Sequence, residues 1–242
     1  MTPKIDLNQY RNIVILTGAG VSAPSGIETY RGKAVHNKNI EQLAHVERLR
    51  DNPLETWQAF NSLRTSSAIA KPNQIHLLLA KIEQQLKSKF TIITQNIDRL
   101  HHQAGSKNVI ELHGRVDKTS CSNNQCNLQP YLDLKTYSTH PPLCPKCNSP
   151  LRPFVILFGE KIGLEEEWQA KKVLRNCDLF IAIGTSGTVS PAANFVRSAE
   201  YAGARTVLVN LEPMNPRNPY FQEEYIGKAE EILPNFLSWG DA

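Results

Sequence analysis

Six short apolar runs, each rich in β-branched residues, are spaced along the whole chain. They lie at 12–16, 90–94, 109–112, 154–158, 178–183 and 206–211. Because the apolar residues are continuous rather than alternating, these runs are typical of strands buried on both faces of a sheet. Residues with helical periodicity lie between the runs, at 38–66, 73–88, 164–176 and 190–203. Strands that alternate with helices predict parallel crossovers, and hence an α/β fold built on a doubly wound parallel sheet.

Four of the five cysteines form two close pairs, Cys121-x4-Cys126 and, 17 residues later, Cys144-x2-Cys147. Two thiolate pairs supply the four ligands of a tetrahedral zinc ion, and such a closed site leaves no position for a catalytic water. We therefore predict a structural zinc. Two disulfides are the disfavoured alternative in a chain without a secretion signal, and a nucleic-acid zinc finger is disfavoured because few basic residues separate the pairs. Cys177 is predicted to be a buried core thiol.

The segment that carries the cysteine pairs interrupts the alternation of strands and helices. Residues 115–153 are rich in Cys, Asn, Pro and Ser and lack an apolar period, so we interpret them as a small zinc-binding insert domain. Metal binding stabilises segments that are too small to build their own core. Residues 1–114 and 154–242 then form a discontinuous larger domain, and part of the helical segment 33–70 is expected to join the small domain.

Composition narrows the class of protein. The chain has 242 residues, of which 40% are hydrophobic and 21% are charged, as in ordinary globular proteins. A formal net charge of +4 is too small to indicate a nucleic-acid-binding protein, although it suits a ligand that carries phosphates. The first residues contain no apolar signal-peptide core, and no run approaches the roughly 18 apolar residues of a membrane span. We expect a cytoplasmic protein with no direct nucleic-acid partner and no membrane association.

Small and polar residues follow each of the six predicted strands. These residues are Gly18 and Gly20, Gln95 to Asp98, His113, Gly159 and Glu160, Gly184 to Ser186, and Asn210 and Glu212. Because parallel strands bring their carboxyl ends to one edge of the sheet, where ligands bind in such folds, we predict that these residues share one site. A simple polar turn is the alternative interpretation for any single one of them.

The first of these loops has the sequence GAGVSA at 18–23 and matches the G-x-G-x-x-[G/A] pattern of phosphate-binding turns. Its glycines allow a tight turn and let backbone N–H groups approach a pyrophosphate. A predicted strand precedes the loop, which favours a Rossmann-like fold for the larger domain. The residues PSG at 24–26 follow at once and predict an irregular continuation rather than a regular helix.

His113 is the histidine with the clearest functional context, since it ends a predicted strand and precedes a glycine. A neutral imidazole at such a rim is suited to act as a general base near pH 7. The alternative is a histidine that only caps or hydrogen-bonds the backbone. His76, His101 and His102 lie on predicted helices and are expected to be surface or packing residues.

The motifs taken together resemble a known family. In chain order they are GAGVSA at 18–23, SGI at 25–27, YRG at 30–32, TQNID at 94–98, HG at 113–114, the two cysteine pairs, FGE at 158–160, GTS at 184–186, PAA at 191–193 and NLE at 210–212. This series resembles the sirtuin family of NAD-dependent protein deacylases over residues 11–236. The short chain and its downstream half are most similar to bacterial class III sirtuins.

The resemblance implies an enzyme that transfers an acyl group from a protein lysine to the ADP-ribose part of NAD. The substrates would be acyl-lysine proteins or peptides and NAD, the products would be nicotinamide, free lysine and O-acyl-ADP-ribose, and Zn²⁺ would be structural. His113 would be the general base on a ribose hydroxyl, while Asn96 and Asp98 would hold nicotinamide and a positioned water. We expect the protein to be a monomer.

The remaining site residues are also implied by the resemblance. Those expected to bind NAD are Gly18, Ala19, Gly20, Ser22, Ala23, Thr29, Tyr30, Arg31, Gln95, Asn96, Ile97, Asp98, Gly184, Thr185, Ser186, Asn210, Leu211, Glu212 and Ala229. Those expected to bind the acyl-lysine substrate are Ala44, Phe60, Leu63, Phe158, Gly159, Glu160, Gly187 and Val189. The peptide would add as an extended strand between 159–160 and 187–189.

One departure from class III sirtuins concerns the acyl group. Members of that class carry a Tyr-x-x-Arg pair that binds the carboxylate of succinyl-lysine. The preferred alignment places Phe60 and Leu63 at those positions, beside Ala44, and a one-residue shift would instead place Asn61 and Arg64 there. The preferred alignment predicts an apolar channel that favours acetyl or longer uncharged acyl groups, because an unpaired buried carboxylate is costly.

Two other functions stay open at the level of sequence. A protein mono-ADP-ribosyltransferase would use the same NAD site but pass ADP-ribose to a protein side chain. A non-catalytic NAD-sensing module would bind NAD and recruit a partner through the zinc insert. The presence of His113, Asn96 and Asp98 argues against an inactive site.

Overall fold

The computed structural model describes residues 5–28, 42–187 and 190–240. Its strands are β1 Ile5–Asp6, β2 Ile13–Thr17, β3 Phe90–Thr94, β4 Val109–Glu111, β5 Gly114–Cys121, β6 Tyr131–Leu132, β7 Leu151–Val155, β8 Leu179–Ile183, β9 Arg205–Asn210, β10 Glu223–Ile226 and β11 Leu237–Ser238. Its α-helices are α1 Val46–Asp51, α2 Pro53–Ile69, α3 Gln74–Leu86, α4 Leu100–Gln103, α5 Leu164–Arg175, α6 Phe195–Tyr201 and α7 Ala229–Phe236. Short 3₁₀ turns cover Leu7–Gln9, Ala19–Val21, Ala23–Ser25, Lys87–Lys89 and Ala192–Asn194.

Six parallel strands form the central sheet, in the order β10-β9-β8-β2-β3-β4. This order confirms the predicted doubly wound α/β fold. The chain enters the sheet at β2, builds outward to β4, and then returns to place β8 on the other side of β2. The strand order therefore reverses between β2 and β8, and doubly wound sheets bind their ligands beyond the carboxyl ends of the strands at such a point.

Apolar residues on both faces explain why the central strands are continuous hydrophobic runs. Every residue of β2, β3 and β8 is buried, as expected for strands that helices cover on both sides. One face packs against α5 and α6, with Leu174 and Phe195 in the core. The other face packs against α3 and α7, with Leu79 and Phe236 in the core.

The prediction of a parallel strand at 154–158 is wrong. The chain here forms β7, in which buried and half-buried residues alternate, and β7 pairs antiparallel with β5 in a separate sheet of order β6-β5-β7. The sixth parallel strand is β10 instead. Its sequence EEYI lacks an apolar run because an edge strand is only partly covered.

Two predicted helices are divided or shortened. The segment 38–66 contains α1 and α2, which are separated at Asn52 because Pro53 disfavours helical backbone in the residue before it; its first residues, 38–41, lie outside the described ranges. The helix expected at 190–203 begins as a 3₁₀ turn, and α6 starts only at Phe195. None of the helices in the described ranges is both long and apolar enough to span a membrane.

The three-stranded sheet is covered by α2 and has few buried apolar residues. Trp57 of α2 is fully buried, donates its indole N–H to Leu151 O at 2.8 Å, and contacts the ring of Tyr137 at 4.7 Å between centroids. The buried members of this cluster are Trp57, Cys144 and Leu151. Polar contacts and the cysteines, rather than a large apolar core, therefore stabilise much of this region.

Candidate active site

The loop that follows β2 packs directly against the loop that follows β8. It consists of two short 3₁₀ turns, in agreement with the irregular continuation predicted from PSG. The Gly20 N–H donates to Gly184 O at 2.9 Å. A Cβ atom added to Gly20 would lie 2.8 Å from Gly184 Cα, so the close approach requires glycine here. The glycine loop thus lies at the reversal of the strand order.

Thr185 connects three of the loops that meet at this edge. Its Oγ1 accepts from Gln95 Nε2 at 2.9 Å and from the Gly187 N–H at 3.3 Å, and its carbonyl accepts from Asn210 Nδ2 at 3.2 Å. The ends of β3, β8 and β9 are therefore held in a fixed relation. The other predicted residues nearby along the chain are half-buried Ser186, exposed Leu211 and Glu212, and half-buried Ala229 at the start of α7.

Asn96 and Asp98 are buried beneath the glycine loop and bonded to it. Ser22 Oγ donates to Asp98 Oδ2 at 2.6 Å, and Asn96 Nδ2 donates to Ser22 Oγ at 3.1 Å and to Gly18 O at 3.0 Å. Burial raises the pKa of Asp98, while the hydrogen bonds from Ser22 and from the Leu100 N–H oppose that shift. The two residues and the loop form one rigid polar cluster.

His113 lies half-buried between β4 and β5, with a defined tautomer. Its Nδ1 lies 3.0 Å from Gln95 O. Because a carbonyl can only accept, Nδ1 must carry the proton, which leaves a lone pair on Nε2. Burial lowers the pKa of His113, although the hydrogen bond to Gln95 opposes this effect. His113 is therefore neutral near pH 7, as a general base requires.

The predicted substrate residues at 158–160 lie beside α1. The Phe158 N–H donates to Ala44 O at 3.0 Å, and Phe158 O accepts from the Val46 N–H at 2.9 Å. Glu160 is not free to meet a ligand, because Arg152 binds its carboxylate and the Leu157 N–H donates to it at 2.8 Å. The sequence did not single out Arg152. Arg152 lies on β7, and only the turn that follows β7 brings its guanidinium next to Glu160. The spacing of the two residues in the sequence does not show this contact.

The residues assigned to the acyl pocket fall into two groups. Phe60 and Leu63 of α2 pack with Ala44 in one apolar cluster that also contains Val116 and Leu157. Arg64, by contrast, is 1% exposed and faces the three-stranded sheet.

The guanidinium of Arg64 has three sets of contacts in that sheet. Nη1 donates to Val116 O at 2.9 Å, Nη2 lies 3.5 Å from Asp133 Oδ2, and the group lies 5.0 Å from the centre of the Trp57 ring. Ala44, Phe60 and Leu63 therefore share one apolar cluster, and Arg64 is not part of it.

The four paired cysteines converge on one point. The Sγ atoms of Cys121, Cys126, Cys144 and Cys147 all lie within 4.8 Å of one another. Cys121 and Cys147 are 3.4 Å apart, and Cys126 and Cys144 are 3.7 Å apart. A tetrahedron of sulfurs around zinc at about 2.3 Å has edges of about 3.8 Å, so the cluster fits a zinc ion. Cys177 is buried in the apolar core, as predicted.

Four predicted site residues, Thr29, Tyr30, Arg31 and Val189, lie outside the described residues. Two threonines that were not predicted lie behind the site. Thr17 and Thr94 end β2 and β3 in register, and their hydroxyls are 2.9 Å apart. Both threonines could have been found from the sequence, because each is a polar residue at the end of an otherwise apolar strand.

Comparison with known proteins identifies the family. Residues 18–191 match the Sir2 family. The chain belongs to this family. It is 41% identical over 235 residues to a protein of Vibrio parahaemolyticus named NAD-dependent protein deacylase, and the match covers 94% of each chain.

Solved structures of the Sir2 family agree with this assignment. A Sir2 homologue in complex with NAD has a TM-score of 0.87 and 32% identity, covering 98% of this chain and 94% of the other. A Sir2 protein bound to acetylated peptide has a TM-score of 0.82 and 33% identity, covering 95% and 93%. The sirtuin resemblance derived from the motifs is thereby confirmed.

Proposed function

We propose that this Sir2-family chain is an NAD-dependent protein-lysine deacylase that yields nicotinamide, free lysine and O-acyl-ADP-ribose. The observation that carries the proposal is His113, a neutral imidazole with an unprotonated Nε2 at the same edge as the Asn96–Asp98–Ser22 cluster. The name of the Vibrio parahaemolyticus relative and the NAD and acetylated-peptide complexes of Sir2 proteins support it.

The residues at the reversal of the strand order fit NAD. The contact of Gly20 with Gly184 keeps side chains away from the loop backbone, where N–H groups bind phosphates well. We assign Asn96 and Asp98 to the nicotinamide end and Asn210 with Glu212 to the adenosine end. When bound, NAD supplies the leaving group nicotinamide and the ribose carbon that the acyl oxygen attacks.

His113 performs the proton transfer in this scheme. Its Nε2 takes the proton of a ribose hydroxyl, and that hydroxyl oxygen then attacks the carbon of the former acyl group. The hydrogen bond from Nδ1–H to Gln95 O keeps the tautomer and the ring orientation constant during the transfer. Because Gln95 also donates to Thr185, the position of the base is linked to the loop after β8.

The substrate peptide adds as an extended strand beside residue 159 in our proposal. The Arg152–Glu160 ion pair holds the turn that presents this backbone. The acyl chain enters toward the cluster of Ala44, Phe60 and Leu63. Because Arg64 is engaged by Asp133 and Val116 O, no guanidinium from α2 meets the acyl group, and uncharged acyl groups are preferred.

The four cysteines bind one structural zinc ion in our proposal. We further propose that residues 115–153 form the small domain together with part of 33–70, while 1–114 and 154–242 form the larger one. The contacts of α2 with β5 and β7 support this division. A monomeric, cytoplasmic protein without nucleic-acid or membrane partners stays a prediction.

The experiment that separates this function from its rivals follows the ADP-ribose part of NAD. The protein is incubated with NAD labelled in the adenosine and with an acetylated peptide, and label in small molecules, peptide and protein is counted. A deacylase puts the label into O-acetyl-ADP-ribose. Label that accumulates on protein would instead identify a mono-ADP-ribosyltransferase, and binding without turnover would identify an NAD-sensing module.

A further inference from the structure

His101 is a buried histidine that takes no part in the proposed proton transfer. It lies on α4, three residues after Asp98, and it is 2% exposed. Its Nε2 lies 2.9 Å from Thr17 Oγ1, which donates to Thr94 Oγ1 at 2.9 Å. Thr94 Oγ1 in turn accepts from the Asn96 N–H at 3.1 Å. A continuous path of hydrogen bonds therefore runs from His101 to the backbone of Asn96.

The same four residues belong to a larger closed ring. Asn96 Nδ2 donates to Ser22 Oγ, and Ser22 Oγ donates to Asp98 Oδ2. The Leu100 N–H then donates to Asp98 Oδ1 at 2.9 Å, at the start of the helix that carries His101. The ring fixes both the backbone and the side chain of Asn96 relative to Asp98.

The direction of the hydrogen bonds defines the tautomer of His101. Because Thr17 Oγ1 donates its proton to Thr94, it can only accept from His101, so Nε2 carries the proton. Nδ1 of His101 is buried and has no hydrogen-bond partner among the described residues. Burial lowers the pKa of His101 well below its usual value, and the nearby His76 adds to this effect. The ring is thus neutral near pH 7.

His76 packs against the His101 ring and has the same tautomer. Its Nδ1 accepts from the Asn73 N–H at 3.3 Å, which places its proton on Nε2. That Nε2 is buried without a partner among the described residues, and the two imidazole rings are 4.8 Å apart between centroids. Asn73 Nδ2 also donates to Val21 O at 2.8 Å. The histidine pair is therefore linked through Asn73 to the loop that follows β2.

We propose that His101 is a positioning residue for the deacylase reaction: its Nε2–H orients Thr17 and Thr94, and these hold Asn96 in the geometry that binds nicotinamide. This inference rests on the proposed function and adds to it the residues that fix the nicotinamide pocket. The loss of one hydrogen bond from a buried network is costly, because the polar group left unpaired cannot bond to water instead. A displacement of about 1 Å in a positioned group can lower a rate by about 10²-fold.

Three variants test the path. Thr17→Val is close to isosteric and removes only the hydroxyl, His101→Leu removes the donor, and His101→Gln keeps an N–H near the position of Nε2. We expect Thr17→Val and His101→Leu each to lower kcat about tenfold, the equivalent of about 1.4 kcal/mol for one buried hydrogen bond. The KM for the acetylated peptide stays unchanged, and the nicotinamide concentration that halves the rate rises. His101→Gln recovers most of the loss.

Coupling and a control distinguish positioning from general destabilisation. The double variant Thr17→Val with His101→Leu should lose no more activity than either single variant, because both interrupt one path. His102→Leu, next in sequence but paired with Glu111 on the outside, should retain kcat within about twofold, as partly exposed pairs contribute little. All rates are taken per folded molecule, measured by circular dichroism.

The tautomer offers a readout that does not depend on turnover. In a ¹⁵N–¹H NMR spectrum of the histidine rings at pH 7, His101 should show a protonated Nε2 and a bare Nδ1, and Thr17→Val should shift its Nε2 resonance. A protonated Nδ1, independent losses in the double variant, or a loss of kcat explained by unfolding would each overturn the proposal. Absence of NAD turnover in the wild type, with the expected tautomer, would instead refute the proposed function.

Discussion

In the six-stranded sheet, β2, β3 and β8 bury every residue between two helical layers, whereas the three-stranded sheet of β5 to β7 buries few apolar side chains. The small sheet is held by four convergent cysteines, by Trp57 and by the buried Arg64–Asp133 pair. Burial of apolar area is spread over many residues, while a metal site or a buried ion pair depends on a few groups and fails when one member is lost.

The two regions also divide the functional work. The edge of the large sheet at the carboxyl ends of its strands carries the polar ring around Asn96 and His113, which we propose as the general base. The small sheet contributes α2 and the turn at residue 159, which we assign to the acyl-lysine. Changes at the rim should therefore alter chemistry without loss of stability, and changes in the small sheet should alter both.

The largest effect is expected for His113→Ala at the rim. Deacylation should fall by about 10²–10⁴-fold, the usual contribution of a general base, while NAD binding and the thermal unfolding midpoint stay close to those of the wild type. Initial rates with an acetylated peptide, calorimetric NAD titration and thermal unfolding measure the three quantities. His140→Ala, an exposed histidine of the small region, is the matched control. Retention of more than about a tenth of activity in His113→Ala would remove its assignment.

Cys144→Ser tests the role of the cysteine cluster in the small sheet. The purified wild type should contain one zinc ion per chain, and the variant should lose zinc, stability and activity together, because a closed four-cysteine site contributes folding free energy. Metal analysis and thermal unfolding check this expectation. Cys177→Ser, outside the cluster, should keep its zinc. Wild-type protein purified without chelator and free of zinc would show that the cluster is not a metal site.

Arg64→Met compares a buried ion pair with an exposed one. Removal of the guanidinium leaves the buried Asp133 without its cationic partner, while Thr119, Tyr137 and the Lys135 N–H still donate to it. The unfolding free energy should therefore fall by up to about 3–5 kcal/mol. Arg48→Met removes a partner of the exposed Arg48–Glu55 pair and should cost less than about 1 kcal/mol. Urea unfolding measures both values. Equal effects for the two variants would contradict the role given to Arg64 in the small sheet.

The preference for one acyl group over another tests the proposed acyl pocket, which lies between the small sheet and the edge of the large sheet. With Ala44, Phe60 and Leu63 as an apolar cluster, catalytic efficiency for acetyl-lysine should exceed that for succinyl-lysine by about tenfold or more, since a carboxylate gains no partner there. One peptide in both acylated forms supplies the comparison. A strong succinyl preference that disappears in folded Arg64→Met would mean that Arg64 reaches the acyl group after all. A preference that persists would indicate another cationic residue.

The last effect concerns the pH dependence of stability. Burial lowers the pKa of His76 to about 4, so the unfolded chain binds more protons than the folded one between that value and about 6.5. Stability should therefore rise with pH across this window, and His76 contributes at most about 1.4 kcal/mol per pH unit. Urea unfolding of wild type and His76→Gln from pH 5 to pH 7 isolates its share. An unchanged slope in the variant would show that His76 is not buried in neutral form.

The contrast also explains what the sequence could predict. The parallel sheet was predictable because both faces of β2, β3 and β8 are covered, which makes each strand a continuous apolar run. β10 was missed because an edge strand needs no such run. The run at 154–158 was misassigned because it combines the end of β7 with the apolar residues that follow, among them Leu157, which packs beside Ala44.

The sequence could predict those parts of the site whose residues lie close together along the chain. The cysteine pairs and the loop glycines can be identified from their spacing in the sequence. The partners of Thr17, Arg64 and His101 do not, because each lies on a segment distant in the chain, and only the three-dimensional register decides which side chains meet. His101 in particular could not be distinguished from a packing residue by its position on a helix.

The most direct test of the whole account is the stoichiometry of one reaction. Wild-type protein, NAD and an acetylated peptide are mixed, and nicotinamide, free lysine peptide and O-acetyl-ADP-ribose are quantified during the initial rate. We predict that the three products appear in equal amounts and that none forms when NAD is omitted. Lysine freed without nicotinamide, or nicotinamide released without the acetyl group reaching ADP-ribose, would contradict it.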